Sequence, residues 1–184
     1  MGLIVGIGGT TRPDSATERA LRIACDSAAG DGDTCHMFDG AYLTGLPFYR
    51  GPGWSEDSAS EMVEAIRNCD GLIIASPGYH GTISGVLKNA LDYIEELASD
   101  DRVYLHDLPV GLVVTAHGYQ AATSAMITLR TIVHALRGWP TPFGAALKVD
   151  ADSFDEAGAC IDPVIHEQLE MVGSQVRRVF TRDN

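Results

Sequence analysis

The chain has 184 residues, of which 45% are hydrophobic, enough apolar material for the core of one ordinary domain. Its formal net charge of −12 would repel phosphate backbones, so we expect no nucleic acid partner. No apolar run approaches the roughly 18 residues of a membrane span, and the chain does not start like a signal peptide, so we expect a cytoplasmic protein without a membrane partner. The four cysteines form no C-x-x-C pair and have no ligand spacing with histidine, so we expect no metal site and reduced, mostly buried thiols.

The first predicted unit is a strand over residues 3–7, a glycine-containing loop and a helix over residues 16–29. Ser15 and Glu18 have the spacing of a capping box, which marks the helix start. A loop of this kind before a capped helix leaves free amides and a dipole that favour an anion. The guanidinium of Arg12 adds donors that suit a phosphate. Further donors come from the hydroxyl groups of Thr10, Thr11, Ser15 and Thr17.

Three interpretations of this loop compete. A dinucleotide fingerprint, G-x-G-x-x-G, fits Gly6 and Gly8 but has Thr11 where the last glycine belongs. A plain capped turn would leave Arg12 solvated. A cradle for a single phosphate would use the donors of the loop.

The next segment combines a strand, a loop and a helix. Residues 33–39 are a plausible second strand, in which His36 is interpreted as a structural histidine. Residues 40–53 are predicted as a long, turn-rich loop, and Ser55 is predicted to cap a helix that runs to about Cys69. The aromatic residues of the loop either fix it to the body or border a substrate mouth or a subunit interface: Phe48, Tyr49 and Trp54.

The central stretch begins with an apolar run of strand length over residues 71–75. Apolar residues then recur at helical spacing over residues 83–97, so the segment is predicted as strand, tight loop and helix. The loop between them favours a backbone that approaches a ligand over a plain connector. It combines glycine and proline with an aromatic ring and an imidazole: Pro77, Gly78, Tyr79, His80 and Gly81.

Residues 76–92 read S-P-x-Y-x-G-x-x-x-G-x-L-K-N-A-L-D, and this pattern resembles the signature of the NADPH-dependent FMN reductase family of flavodoxin-like flavoproteins. Residues 9–15, G-T-x-R-x-x-S, resemble the phosphate loop of that family, with Thr10 in place of a serine. Together, the two resemblances favour the single-phosphate cradle among the three interpretations of this loop. The L-P-x-Y segment at residues 46–49 is similar as well. Two positions differ from the usual form, because Gly78 replaces a common Glu and His80 replaces a common Asn.

The rest of the chain continues the alternation of strands and helices. A fourth strand is predicted over residues 109–115, and the loop after it resembles the third flavin-side loop of the family before a further helix begins. A fifth strand is predicted over residues 143–149, after an interruption at residues 139–142. Residues 150–162 are interpreted as an acidic, solvated connector, and a terminal helix is predicted to begin at Pro163.

Five alternations of strand and helix imply an α/β fold, a parallel sheet covered on both faces in a three-layer sandwich. We expect a single flavodoxin-like FMN-binding domain over residues 1–184, with five strands in the order 2-1-3-4-5. In such sheets, ligands bind beyond the carboxyl ends of the strands. The first, third and fourth strands are adjacent in this order, so their loops converge on one ligand that is phosphorylated and planar.

The resemblance implies a bound FMN that takes hydride from NADPH or NADH and reduces a small acceptor. The acceptor stays open among a quinone, an azo or nitro compound, a metal species, and free flavin passed to a flavin-dependent monooxygenase. No side chain is expected to act as a nucleophile. The expected FMN-binding residues are Thr10, Arg12, Ser15, Thr17, Pro77, Gly78, Tyr79, His80, Gly81, Thr115, His117 and Gly118.

Some residues carry secondary expectations. Gly78 and Gly81 are expected to leave one face of the flavin open, and His80 is a candidate contact to the second substrate. Arg50 is a candidate partner for the 2′-phosphate of NADPH, although a solvated charge is the plainer interpretation. Three motif residues on the following helix are expected to have structural or interface roles: Lys88, Asn89 and Asp92.

Two other function classes remain. A flavodoxin-type electron carrier would share the fold, the acidity and FMN but would lack direct NAD(P)H activity; Arg12 favours the reductase, because carriers typically have a phosphate loop rich in Thr and Ser. A non-catalytic nucleotide-binding module would keep the ligand loop without redox activity. The resemblance also implies a homodimer or homotetramer, for which the aromatic loop offers apolar surface.

Overall fold

The structure is a computed structural model that describes residues 2–30, 33–52 and 57–180. The strands are β1 Leu3–Gly8, β2 Thr34–Phe38, β3 Gly71–Pro77, β4 Pro109–Ala116, β5 Trp139–Pro140 and β6 Ala145–Lys148. The helices are α1 Ala16–Ala29, α2 Gly40–Gly45, α3 Asp57–Asn68, α4 Gly85–Asp92, α5 Tyr119–Ala135 and α6 Pro163–Phe180. A 3₁₀ helix, Tyr93–Leu97, follows α4 directly.

The strands form one parallel sheet in the order β2-β1-β3-β4, with β5 and β6 both beside β4. The predicted order 2-1-3-4-5 is thereby confirmed. The fifth strand predicted over residues 143–149 is β6, and a further short strand, β5, lies within the predicted interruption. The two pieces are separate: Trp139 lies opposite Pro109 near the start of β4, and Ala145 lies opposite Val113 nearer its end. Between the two pieces Pro142 has no amide to donate to a ladder, which accounts for the interruption.

Alternate side chains of the strands enter two hydrophobic clusters. Val5 and Ile74 belong to the cluster that also contains residues of α2, α3, α4 and α5. Ile4 and Ile73 belong to the other cluster, which contains residues of α1 and α6. Every residue of β3 is buried. A parallel sheet that is covered on both faces gives these nearly continuous apolar strands, as the sequence predicted.

The observed α1 has the predicted bounds, and α6 begins at Pro163 as predicted. The prediction of a loop over residues 40–53 is wrong at its start, because the six residues of α2, Gly40–Gly45, are helical. The carboxylate of Asp39 caps this helix by accepting a hydrogen bond from the Tyr42 amide at 3.0 Å. Ser55, the predicted cap of the next helix, and Trp54 lie outside the described residues.

The acidic connector after β6 is less solvated than predicted. Ser153 and Phe154 are buried, and the Asp155 carbonyl accepts a hydrogen bond of 2.7 Å from the Arg19 guanidinium. The connector is therefore fixed to α1.

Two smaller expectations concern histidine and cysteine. His36 stacks on Phe38 at 4.5 Å between ring centroids, in keeping with a structural role. The four cysteines are free, and Cys25 and Cys69 are buried; burial raises the pKa of the Cys69 thiol to about 11. Within the described ranges, none of the helices combines the length and hydropathy that a membrane span requires.

Candidate functional site

The loop after β1 touches the start of α2 backbone to backbone. Gly9 has a φ of 130°, and a Cβ placed on it would lie 2.5 Å from the Gly40 nitrogen. A Cβ on Gly40 would lie 1.9 Å from the Thr10 carbonyl oxygen. Only glycine fits at position 40, so this residue of α2 allows the loop after β1 to adopt its conformation. Sequence reasoning missed Gly40, because the contact joins segments that are distant in the chain.

The start of α1 presents unused donors. Ser15 accepts a hydrogen bond from the Glu18 amide at 3.3 Å, as the capping box predicted. The Arg12 amide donates to the Thr10 hydroxyl at 3.1 Å, which closes the loop. The amides of the first helical turn, at Ala16 and Thr17, have no acceptor within the helix. This arrangement is typical of an anion site.

Arg12 and Arg19 both lie near the start of α1 but differ in their partners. Arg19 pairs with Asp14 and donates to the Asp155 carbonyl; its hydrogen bond also lowers the pKa of the Asp14 carboxyl. Across the part of the chain that the structure describes, Arg12 has no acidic partner, and its side chain is exposed. Arg12 is therefore the cation that can bind an anionic ligand here.

The loop after β3 closes into a tight turn. Tyr79 and Thr82 exchange two backbone hydrogen bonds, of 2.9 and 3.0 Å. Between them His80 and Gly81 have φ values of 49° and 86°, the left-handed conformation that a type I′ turn needs at both central positions. The amides of Gly78 and Tyr79 already donate within the protein. Within this turn, the amides left to donate to the polar edge of a flavin are therefore those of His80 and Gly81.

The carboxyl end of β4 is joined to the start of α1 by a pair of hydroxyl groups. The Oγ1 atoms of Thr17 and Thr115 lie 2.6 Å apart, and both residues are buried. The Thr115 carbonyl also accepts the Gly78 amide at 2.8 Å. The loops after β1, β3 and β4 therefore meet, as the predicted strand order requires.

These three loops border a cleft of about 120 Å³, which we call the phosphate cleft. It is lined by Thr10, Arg12, Ser15, Ala16, Thr17, Pro77, Gly78, Tyr79, Thr115, Ala116, His117 and Val149. Nine of these are residues that the sequence proposed for FMN. His80, Gly81 and Gly118, also proposed, do not line it. Val149, which follows β6, was missed, because its approach depends on the register between β6 and β4.

The expectation that Gly78 leaves a flavin face open is wrong. A Cβ on Gly78 would lie 2.9 Å from the Ala121 carbonyl oxygen and 3.2 Å from the Ala116 Cβ, so that direction points at α5. Gly81 has no atom within 4 Å of the corresponding position and does face open space.

A second cavity of about 430 Å³ adjoins the phosphate cleft, and we call it the apolar pocket. It is lined by Thr10, Thr11, Leu43, Thr44, Leu46, Phe48, Tyr79, Ser84, Gly85, Val86 and Asn89. Thr10 and Tyr79 line both cavities, so occupants of the two would be neighbours. No charged side chain is among these lining residues. The sequence left Phe48 open between fixing its loop to the body and bordering a substrate mouth or an interface, and it did not predict the pocket.

The residues of the phosphate cleft fit FMN. The guanidinium of Arg12 and the start of α1 suit one phosphate group. Outside the cleft, Gly81 borders open space, which leaves room for a flat ring system beside it. In the described ranges no group of His, Cys, Asp and Glu side chains is placed to hold a metal ion.

Comparison with known proteins decides the family. Residues 3–151 match the family model described as NADPH-dependent FMN reductase. The chain belongs to that family. As a member of the NADPH-dependent FMN reductase family, it is an NAD(P)H oxidoreductase that uses FMN, with NADPH as co-substrate.

Individual relatives agree with this assignment. An NADPH azoreductase from Bacillus sp. (strain OY1-2) is 26% identical over 169 residues, which cover 91% of this chain and 88% of that protein. An FMN-dependent NADPH-azoreductase from Staphylococcus haemolyticus (strain JCSC1435) is 37% identical over 82 residues, 45% of this chain and only 40% of that protein. The structure of FerB, a flavoenzyme NAD(P)H:(acceptor) oxidoreductase from Paracoccus denitrificans, is 17% identical with a TM-score of 0.79, covering 99% of this chain and 98% of that one. The last similarity shows the flavodoxin-like fold.

Proposed function

We propose that this reductase transfers reducing equivalents from NADPH to a small organic acceptor, of the quinone or azo kind, through FMN bound in the phosphate cleft. The observation that carries the proposal is the meeting of Arg12, which has no acidic partner among the described residues, with the first amides of α1. The loop that contains Tyr79 and the end of β4 at Thr115 lie opposite them. The azoreductase names of the relatives support an azo compound as one such acceptor.

The roles of the residues follow from what each offers. Arg12, the Ser15 hydroxyl and the first amides of α1 would hold the phosphate, and Thr10 and Thr17 would line the cleft beside it. Pro77, Gly78, Tyr79, Thr115 and His117 would border the ribityl chain and ring. The free amides of His80 and Gly81 would donate to the polar edge of the ring, and Gly118 would stay near the site at the start of α5. When bound, FMN supplies the two-electron redox chemistry.

We further propose that residues 1–184 form one FMN-binding domain that works in the cytoplasm as a homodimer or homotetramer. The side chain of Phe48 is 83% exposed, which gives apolar surface for an interface or for a ligand. A flavin-dependent monooxygenase remains a candidate partner. The electron-carrier function is the weaker alternative, because the family is defined by its dependence on NADPH.

The spectrum of the purified protein tests the proposal. We expect a yellow protein that releases FMN on denaturation, and whose colour anaerobic NADPH bleaches within seconds. A quinone or an azo dye should then restore the colour. If neither NADPH nor NADH bleaches it while a separate reductase protein does, the chain is an electron carrier. Release of FAD alone would contradict the single-phosphate cleft.

A further inference from the structure

The apolar pocket is larger than the phosphate cleft and has no role in holding the phosphate. Its walls come from α2, the segment after α2, and the start of α4, with Leu43, Leu46, Phe48 and Val86 as the apolar side chains. It meets the phosphate cleft at Thr10 and Tyr79, so a molecule in the pocket would lie beside the bound cofactor.

Several polar side chains around the pocket are occupied within the protein. The Thr44 hydroxyl donates to the Gly40 carbonyl at 2.6 Å. The Ser84 hydroxyl accepts the Leu87 amide at 3.3 Å. Thr10 bonds to the Arg12 backbone. An occupant therefore meets mainly hydrocarbon and aromatic surface, which disfavours a charged molecule because its charge would lose water without gaining partners.

Phe48 is held at the pocket by its neighbours. The Asn89 side chain accepts a hydrogen bond from the Tyr49 amide and donates one to the Pro47 carbonyl, both at 2.9 Å. The Tyr93 hydroxyl donates to the same Pro47 carbonyl at 2.9 Å. Asn89 thus fixes the backbone on both sides of Phe48. Because the phenyl ring is 83% exposed, these bonds, and not burial of the ring, determine where it stands.

We propose that the apolar pocket binds the uncharged aromatic ring of the electron acceptor beside the cofactor. Phe48 is the residue that selects this ring, and Asn89 is the positioning residue that holds Phe48. This inference rests on the proposed function. With a quinone, the acceptor gains two electrons and two protons and leaves as the hydroquinone. NADPH loses one hydride, which supplies both electrons and one proton, and water supplies the second proton.

The preference of the apolar pocket for an uncharged ring follows from its lining residues. A planar neutral ring can stack on Phe48 and cover Leu43, Leu46 and Val86, whereas a sulfonate or an oxyanion would find no cation among the lining residues. The net charge of −12 adds repulsion for anions. The pocket therefore favours uncharged acceptors over their sulfonated counterparts.

The test compares Phe48→Ala and Asn89→Ala with a control, Lys88→Ala. Lys88 precedes Asn89 on α4, is exposed, pairs with Asp92 and does not line the pocket. For each FMN-loaded protein, KM is measured for an uncharged naphthoquinone and for a naphthoquinone sulfonate. The rate of flavin reduction by NADPH and the FMN affinity are measured separately.

Loss of one aromatic contact should raise KM for the uncharged naphthoquinone roughly two- to tenfold in Phe48→Ala, with KM for the sulfonate, the NADPH step and the FMN affinity unchanged. Asn89→Ala should show the same pattern. The double variant should be no worse than Phe48→Ala alone, because Asn89 acts through Phe48. Lys88→Ala should match the wild type.

Three results would overturn the inference. A parallel loss of FMN affinity would mean that the pocket holds the cofactor ring. A change from oligomer to monomer with KM unchanged would make Phe48 a subunit contact. Additive effects of the two variants would mean that Asn89 does not act through Phe48.

Equilibrium dialysis of the uncharged naphthoquinone against the oxidised, FMN-loaded protein keeps the test independent of turnover. Weaker binding to Phe48→Ala than to the wild type supports the inference, and equal binding overturns it. Binding without any NADPH-driven turnover would contradict the proposed function and leave the pocket assignment in place.

Discussion

The phosphate cleft and the apolar pocket are neighbours that differ in which of their polar groups already have partners within the protein. In the cleft, Arg12 has no acidic partner among the described residues, and the first amides of α1 have no acceptor in the helix. Around the pocket, Thr44, Ser84 and Asn89 make their hydrogen bonds within the protein. The pocket is the larger space, at about 430 Å³ against about 120 Å³. A cation and the first amides of a helix, rather than volume, therefore distinguish the anion site from the site for an apolar ring.

The largest expected effect comes from Gly40, where the two regions meet. In Gly40→Ala the new Cβ would overlap the Thr10 carbonyl, so α2 and the loop after β1 must separate. We expect a cost of about 3 kcal/mol, the upper part of the range for overpacking, and FMN binding weakened by about a hundredfold. Titration of the apoprotein with FMN, followed by flavin fluorescence, measures this. Gly45→Ala, on the same helix and with no atom within 4 Å, is the matched control and should bind FMN normally.

Removal of the Arg12 charge should affect the phosphate cleft alone. Arg12→Ala loses a charge-assisted contact worth about 1.5–3 kcal/mol, so FMN should bind roughly ten- to over a hundredfold more weakly. Riboflavin, which lacks the phosphate, serves as the internal control in the same titration. Equal losses for FMN and riboflavin would show that Arg12 shapes the loop instead of binding the phosphate.

A third change would create an unsatisfied group at the base of the cleft. Thr115→Val leaves the buried Thr17 hydroxyl without its partner at 2.6 Å, which should lower the free energy of unfolding by about 1–2 kcal/mol. Urea denaturation of the apoprotein measures the loss. Replacing both threonines by valine should recover part of it, because no hydroxyl is then left unpaired. A double variant less stable than either single variant would argue against the hydroxyl pair.

The smallest effect concerns Glu18, whose Oε2 atom is buried with no hydrogen bond in the described structure. Burial first, and Asp39 second, raise the pKa of this carboxyl above its ordinary 4.5. Between the ordinary pKa of the unfolded chain and the raised pKa of the folded protein, the folded protein binds more protons at Glu18 than the unfolded chain does. The contribution of Glu18 to the free energy of unfolding therefore falls as pH rises through that window. Glu18→Gln should match the wild type near pH 4 and exceed it near pH 8 by up to about 1 kcal/mol. Denaturation at both pH values tests this, and a constant difference would contradict it.

Local signals made much of the fold predictable. Ser15 with Glu18 marked the start of α1, Pro163 marked the start of α6, and the apolar run after residue 70 marked β3. The helix α2 escaped prediction because its six residues include two glycines and carry no apolar period. It is held by the Asp39 cap and by the close approach of Gly40 to Thr10, and a contact of that kind leaves no pattern in the sequence.

The site was predictable to the extent that its residues belong to continuous motifs. Arg12 and Tyr79 were found because each lies in a loop with a recognisable sequence. Asn89 was found as a motif residue, but its hydrogen bonds to both neighbours of Phe48 span about forty positions and needed the structure. The direction of a Cβ on Gly78 likewise depends on where α5 lies.

The two short strands beside β4, β5 and β6, affect how copies of this chain behave at high concentration. A continuous outer strand exposes a row of unpaired amides and carbonyls on which another chain can build, a route to aggregates. Here that border consists of two pieces of two and four residues, and Pro140 in the first has no amide to offer. We therefore expect this side of the sheet to resist edge-to-edge growth, and association between copies to use helices and loops instead.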